Sequence, residues 1–120
     1  MKILIVDDDY LSREILQAHM EHAHFYVLLA NSGEKALEMA VSEQPDIILM
    51  DVNMPGLNGY SACAYLKKSP QTHFIPILLM TAMDDDTNIA LAVEAGADGF
   101  VSKPYDIHKV LDQINHLTGQ

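Results

Sequence analysis

Five short apolar runs, each followed by a stretch with helical periodicity, constrain the fold of this chain more than any other feature. In chain order the runs fall at residues 2–6 (KILIV), 25–30 (FYVLLA), 47–50 (IILM), 75–80 (IPILLM) and, shortest of all, within 98–102. Continuous apolar runs of this length are typical of strands buried on both faces. Their alternation with helices therefore predicts a parallel sheet that is covered by helices.

Right-handed crossovers leave few arrangements for such a sheet. The sequence favours an α/β, flavodoxin-like, doubly wound (βα)5 fold, with strand order 2-1-3-4-5 and helices on both faces. A length of 120 residues is typical of one domain, so we expect a single domain over residues 1–120.

The predicted helices begin and end at recognisable residues. Asn31 or Ser32 is expected to cap the second helix, Gly96 to end the fourth and Asp106 to cap the fifth. The apolar residues expected on the helices are Leu11, Ile15 and Ala18; Ala36, Leu37, Ala40 and Val41; Leu57, Tyr60, Ala64 and Tyr65; and Ile107, Val110, Leu111, Ile114 and Leu117.

The stretch 45–59 (PDIILMDVNMPGLNG) organises the chain. Its strand stops at Asp51, and Pro55, Gly56 and Gly59 then break the backbone before the next helix. In open α/β sheets ligands bind outside the carboxyl ends of strands, which is where Asp51 lies. Aspartate is also common in ordinary turns, and this stretch alone does not separate the two interpretations.

Polar residues end four of the five predicted strands, at Asp7-Asp8, Asp51, Thr81 and Lys103. In the predicted sheet they converge at one edge, where the carboxylates repel each other or recruit a cation. Oxygen ligands without histidine or cysteine favour Mg²⁺ or a similar hard cation such as Mn²⁺. A free carboxylate as nucleophile, with the Thr81 hydroxyl and Lys103 facing a phosphoryl group, indicates phosphoryl transfer onto an aspartate.

With these residues in this order, the sequence resembles response-regulator receiver domains over essentially its whole length. The matching residues are the acidic pair Asp7-Asp8, Asp51 within LMDVNMPGLNG, Thr81-Ala82 and Lys103-Pro104. The resemblance implies that Asp51 accepts a phosphoryl group from a phosphohistidine of a partner histidine kinase or histidine phosphotransfer protein. It also implies that Asp8, Asp51 and the backbone carbonyl of Asn53 bind Mg²⁺ directly, and that Asp7 acts through water.

The resemblance further implies how the domain signals. Thr81 and Lys103 hold the phosphoryl oxygens, and Thr81 and Phe100 form a switch that changes the surface of helix four, strand five and helix five. That surface would control a target protein or an output domain, or form a phosphorylation-dependent dimer. The chain is then a phosphoacceptor and not an enzyme, and Lys103-Pro104 is a candidate cis peptide.

Two positions near the acceptor predict slow self-dephosphorylation. Asn53, two residues after Asp51, can hydrogen-bond water, whereas Met83, two residues after Thr81, cannot orient an attacking water.

Two other functions fit part of the same pattern. In an aspartate-nucleophile phosphohydrolase, Asp7 would attack phosphate and Asp9 would act as the acid, but Asp51 would lose its purpose. A phosphorylation-independent interaction domain on the same fold would not need the intact motif set. His19, His22 and His24 could bind a metal, although solvated surface histidines are the commoner case.

Composition excludes several classes of function. The net charge of -10 argues against nucleic-acid binding by this domain, because phosphate contacts need Lys and Arg. No apolar run is long enough to span a membrane and no signal peptide is recognisable, so a cytoplasmic location is expected. The single cysteine, Cys63, suits a reducing compartment and is expected to pack as a small apolar side chain.

Overall fold

In the computed structural model, which describes residues 1–82 and 86–119, strands and helices alternate along the chain. In chain order they are β1 (Lys2–Val6), α1 (Tyr10–His22), β2 (Tyr26–Ala30), α2 (Gly33–Glu43), β3 (Ile47–Asp51), α3 (Gly59–Lys68), β4 (Ile77–Thr81), α4 (Asp86–Glu94), β5 (Gly99–Ser102) and α5 (Ile107–Thr118). All strand pairs are parallel, in the order β2-β1-β3-β4-β5. The predicted fold is thus confirmed.

Two apolar layers cover the sheet, one on each face. Along β1, Leu4 and Val6 point into a layer with α2, α3 and α4, while Ile3 and Ile5 point into a layer with α1 and α5. All four side chains are fully buried. Burial on both faces explains why the strands are continuous apolar runs rather than alternating ones.

The strand register brings the carboxyl ends of the central strands together. Val6 is paired with Met50, Asp51 with Met80, and Thr81 with Ser102. The residue after β1, the last residue of β3 and the last residue of β4 therefore lie at one edge of the sheet, as the sequence predicts.

The buried face of α1 differs from the prediction. Leu11 and Ile15 are 64% and 46% exposed and Ala18 is exposed, whereas Leu16 and Met20 are fully buried. The face with the larger side chains Leu16 and Met20 is the one that packs into the apolar layer with α5.

Smaller corrections concern α2, α3 and two strands. Val41 of α2 and Tyr65 of α3 are exposed, and Leu57 precedes α3 rather than lying on it. Gly59 is the first residue of α3 rather than a break before it. Strand β2 begins at residue 26 rather than 25, and β4 at residue 77 rather than 75.

Other local predictions are confirmed. Ser32 and Asp106 cap α2 and α5, and Gly96 after α4 has φ +83°. Cys63 is buried, and the Lys103-Pro104 peptide is cis. In α5, Val110 and Ile114 are fully buried, and the partly buried residues that pack beside them are Ile107, Leu111 and Leu117.

Met83 lies outside the described residues, so the prediction of slow self-dephosphorylation stays a prediction. A search of the described helices for a bilayer-spanning segment of sufficient length and apolarity finds none.

Candidate functional site

Three carboxylates meet at the carboxyl edge of the sheet. Asp7 follows β1, Asp51 ends β3, and one oxygen from each of Asp7, Asp8 and Asp51 lies within 4.8 Å of the others. Asp7 and Asp51 are 1% and 4% exposed, while Asp8 faces solvent. The cluster therefore has a buried floor and an accessible side, which suits a ligand that arrives from solvent.

Lys103 supplies the positive charge of this site. Its ammonium lies 2.9 Å from Asp51 Oδ1 and 3.9 Å from Asp7 Oδ2. Its backbone N–H donates to the main-chain oxygen of Thr81 at 2.7 Å, which ties the residue after β5 to the end of β4. Burial alone would lower the pKa of Lys103, but the hydrogen bond and charge of Asp51 and the charge of Asp7 outweigh it, so the pKa is raised and the side chain stays cationic.

Asp7 is the most constrained of the acids. Its Oδ1 accepts the N–H of Asp9 at 3.0 Å, whereas its Oδ2 has no hydrogen-bond partner among the described residues. Burial raises the pKa of Asp7; the bond from Asp9 opposes this effect and the charge of Asp51 adds to it. A buried carboxylate oxygen without a donor is costly, and Lys103 at 3.9 Å offsets that cost only in part.

The chemistry of these donors fits a divalent hard cation. The candidate ligand atoms are all carboxylate oxygens, of Asp7, Asp8 and Asp51. Asp7 also carries the unpartnered Oδ2. Within the ranges 1–82 and 86–119, this is the only group of three or more acidic, histidine or cysteine side chains close enough to share an ion. The exposed residues His19, His22 and His24 do not form such a group there.

The loop after β3 holds Asp51 against the end of the sheet. The N–H of Val52 donates to Met80 at 2.9 Å, and the N–H of Gly59 donates to Val52 at 3.0 Å. A Cβ at Gly59 would collide with the main-chain oxygen of Asp51 and would lie 2.8 Å from Cα of Val52. Only glycine fits where α3 begins without a shift of the backbone, because the helix starts in contact with the main chain of Asp51.

The remaining predicted site residues lie at the same edge or behind it. Thr81 is 5% exposed at the end of β4, and Asn53 is exposed two residues beyond Asp51. Phe100 is partly buried against the apolar layer that contains α2, α3 and α4. The structure thus brings Asp7, Asp8, Asp51 and Lys103 into one cluster, whereas switching by Thr81 and Phe100 stays a prediction.

Asp9 has a different environment from its neighbours. Its Oδ2 accepts hydrogen bonds from the backbone and hydroxyl of Ser12 at 3.0 and 2.8 Å, which caps α1. The hydrogen bonds from Ser12 lower the pKa of Asp9, so that carboxyl is ionised near neutral pH. An ionised helix cap is a poor proton donor, which argues against the phosphohydrolase interpretation.

Sequence reasoning missed one residue of the site. Arg13 Nη1 donates to the main-chain oxygen of Asp7 at 2.8 Å, and its guanidinium lies 5.7 Å from the centroid of the Tyr10 ring. Its position six residues after Asp7, on the first turns of the helix that follows, is the signal that could have indicated it.

Comparison with known proteins gives one consistent result. A family model described as the response regulator receiver domain matches residues 3–115. The response regulator PleD of Caulobacter vibrioides is 38% identical over 98% of this chain, which corresponds to 26% of PleD. The chain spans between about a quarter and a half of the length of the curated relatives it matches.

Solved structures agree with the sequence relatives. The signal receiver domain of a signal transduction histidine kinase from Syntrophus aciditrophicus has a TM-score of 0.92 and 30% identity, covering 98% of this chain and 89% of that one. The receiver domain of the sensor histidine kinase PA1611 from Pseudomonas aeruginosa, described with a magnesium ion coordinated in its active site cleft, has a TM-score of 0.92 and 25% identity, covering 99% of this chain and 98% of that one.

Proposed function

The chain belongs to the response regulator receiver family, and on that premise we propose that Asp51 accepts a phosphoryl group from a phosphohistidine on a partner protein. The partner is a histidine kinase or a histidine phosphotransfer protein. The observation that carries the proposal is the meeting of Asp51 with two further acids and with Lys103 at one edge of the sheet.

The residues of the site divide the reaction between them. The Asp51 carboxylate attacks phosphorus, the bond from phosphorus to the imidazole nitrogen breaks, and that nitrogen keeps the electron pair. Lys103, 2.9 Å from Asp51, balances negative charge on the acceptor and on the incoming phosphoryl oxygens. The Thr81 hydroxyl, at the neighbouring strand end, would donate a hydrogen bond to one of those oxygens.

A divalent cation, Mg²⁺ or Mn²⁺, would bind directly to Asp8, Asp51 and the backbone carbonyl of Asn53. Asp7 would contact it through water. When bound, the cation supplies positive charge that lets a phosphoryl group enter a site already rich in carboxylates. The unpartnered Oδ2 of Asp7 and the all-oxygen donor set support this assignment.

Phosphorylation would act through the surface formed by α4, β5 and α5. A shift of Thr81 toward the phosphoryl group would leave space for Phe100, on the neighbouring strand β5, to turn inward. The changed surface would control a target protein or a linked output domain, or form a phosphorylation-dependent dimer. The chain itself then serves as phosphoacceptor, with self-phosphorylation from phosphodonors and slow self-dephosphorylation as its only reactions.

Intact-mass measurement tests the proposal. After incubation with Mg²⁺ and acetyl phosphate, the wild-type chain should gain the mass of one phosphoryl group, and Asp51→Asn should gain none. Removal of Mg²⁺ with EDTA should abolish the gain in the wild type.

The same assay distinguishes the receiver function from the phosphohydrolase interpretation, which requires the phosphoryl group on Asp7. Asp7→Asn should keep some labelling of Asp51 if Asp51 is the acceptor. A label that survives in Asp51→Asn, or is located on Asp7 by peptide mapping, would overturn the proposal.

A further inference from the structure

Arg13 contacts the acidic loop through the backbone rather than through a carboxylate. Its Nη1 donates to the main-chain oxygen of Asp7 at 2.8 Å. Among the described residues no ion pair joins Arg13 to an acid, in a chain with 17 acidic side chains. A half-buried guanidinium that donates to a main-chain oxygen beside several acids restricts the backbone there, in addition to its effect as a charge.

The carbonyl that Arg13 binds belongs to the peptide between Asp7 and Asp8. Fixing that peptide fixes the directions in which both side chains leave the backbone. The N–H of Asp7 is held separately by the main-chain oxygen of Ala30 at 3.1 Å. Arg13 therefore completes the fixation of a segment that carries two of the three clustered acids.

Arg13 is itself well anchored. Its backbone N–H donates to the main-chain oxygen of Asp9 at 3.0 Å in the first turn of α1. Its guanidinium lies over the ring of Tyr10. Without a cation, the carboxylates of Asp7, Asp8 and Asp51 repel each other and would spread the loop. The bond from Arg13 opposes that movement.

We propose that Arg13 is a positioning residue that preorganises the Asp7-Asp8 segment for a divalent cation. This inference rests on the proposed function, because it concerns the same cation site. The inference predicts the direction in which the Kd for the cation changes. A positive charge near the site weakens cation binding by repulsion, whereas a positioning contact strengthens it. Removal of Arg13 should therefore weaken binding, and removal of a neighbouring charge without the contact should not.

Lys35 provides the matched control. It lines the same hollow of about 290 Å³ as Arg13, together with Leu29, Ala30 and Asn31. In the described part of the chain its ammonium is 3.8 Å from Glu38, and no hydrogen bond joins its side chain to the acidic loop. Lys35→Ala removes one positive charge from this region and leaves the contact with Asp7 intact.

The experiment is a calorimetric titration of the full chain with Mg²⁺ at constant ionic strength. Arg13→Met, which keeps the aliphatic packing, should raise the Kd about tenfold, the lower end of losses for groups that support metal ligands. Arg13→Lys, which keeps the charge and one donor, should recover part of the affinity. Lys35→Ala should leave the Kd unchanged or lower it.

A second measurement does not depend on the cation. Backbone amide exchange of Asp8 and Asp9 in Mg²⁺-free protein should be faster in Arg13→Met than in the wild type and unchanged in Lys35→Ala. If Arg13→Met does not fold, Arg13→Gln, which is neutral and shorter, takes its place: a raised Kd supports positioning, and a Kd equal to or below that of the wild type overturns it.

The outcomes separate this inference from the proposed function. Wild-type affinity in Arg13→Met, or an equal loss in Lys35→Ala, overturns the role of Arg13 while Asp51 still accepts phosphate. If the wild-type chain binds no Mg²⁺ at all, the cation site of the proposed function fails and the inference fails with it.

Discussion

At the scale of single residues, Asp7 is the side chain on which folding and the proposed function make opposite demands. It is 1% exposed, and its Oδ2 has no hydrogen bond within the described residues. Burial and the neighbouring Asp51 favour the protonated form and raise the pKa of Asp7. Its contribution to stability is therefore fully present below the unfolded-state pKa of 3.8 and is lost as pH rises through the raised native-state pKa.

Asp7→Asn should accordingly stabilise the Mg²⁺-free protein at neutral pH, by about 1–2 kcal/mol, because an amide removes the uncompensated buried charge. Urea denaturation with EDTA present measures the free energy of unfolding. The same variant should lose most of the stabilisation that Mg²⁺ gives the wild type. Asp46→Asn, outside the cluster, is the control, and a destabilised Asp7→Asn in EDTA would contradict the prediction.

Gly59→Ala tests the contact between the start of α3 and the backbone of Asp51. Helix propensity alone would favour alanine by about 1 kcal/mol. The new methyl group would collide with the main-chain oxygen of Asp51 and crowd Val52, so we expect a net loss of about 1–3 kcal/mol. Labelling of Asp51 by acetyl phosphate should also slow, because the backbone that carries the carboxylate must move.

Ser61→Ala, at an exposed position of the same helix, is the comparison for Gly59→Ala. It keeps the backbone bond from residue 61 to the capping side chain of Asn58. It should change stability by only a few tenths of a kcal/mol and leave labelling unchanged. A Gly59→Ala variant that is more stable than the wild type would contradict the prediction, because it would show that the loop moves to accommodate the methyl group at little cost.

At the scale of elements, the sequence predicted the strands and their polar ends better than the faces of the helices. A strand that is buried on both faces is apolar at every position. The continuous apolar run 47–50 therefore predicts burial directly, with no need to know which face points inward. Helix α1 offered two apolar stripes, and the one with Leu16 and Met20 is buried. The choice depends on packing against residues distant in sequence, such as Ile47 and Ile114, which the periodicity of α1 does not contain.

The same distinction applies to the site. Asp7, Asp8, Asp51 and Lys103 were predictable because they terminate parallel strands, whose carboxyl ends meet at one edge by topology. Arg13 was not, because its role depends on where a side chain from α1 reaches back to the loop. Motifs at strand ends are fixed by the fold, whereas supporting contacts depend on side-chain geometry.

The end of α1 gives a prediction about helix termination. His24 has φ +71°, and the N–H of Phe25 donates to Met20, which closes the turn with a non-glycine residue in the left-handed region. His24→Gly should stabilise the protein by about 0.5–1 kcal/mol, since glycine adopts this conformation without strain. Thermal and urea unfolding measure the change.

Gln44 is the informative counterpart to His24. It follows α2 with φ 48°, but its side-chain amide donates to the main-chain oxygens of Ala40, Val41 and Gln71. In Gln44→Gly the loss of these bonds offsets the relief of strain, so no stabilisation is expected. Equal stabilisation by both substitutions would contradict this account.

At the scale of the whole molecule, the net charge of -10 gives any added salt two ways to act. Screening of the general repulsion among acids stabilises the compact state with every cation. A site at Asp7, Asp8 and Asp51 acts only with a cation that fits it. These effects differ in their dependence on the kind of cation, so one unfolding experiment separates them.

MgCl₂ should stabilise the wild-type chain beyond NaCl of equal ionic strength, because binding to the native state adds to screening. At about 100 times the Kd the added free energy is roughly 2.7 kcal/mol, or about 10 °C in Tm for a domain of this size. Asp8→Asn and Asp112→Asn each remove one exposed negative charge, one inside the cluster and one on α5. Asp8→Asn should respond to MgCl₂ as to NaCl, whereas Asp112→Asn should keep the full difference. If MgCl₂ and NaCl stabilise the wild-type chain equally, screening explains the whole effect and the proposed cation site is wrong.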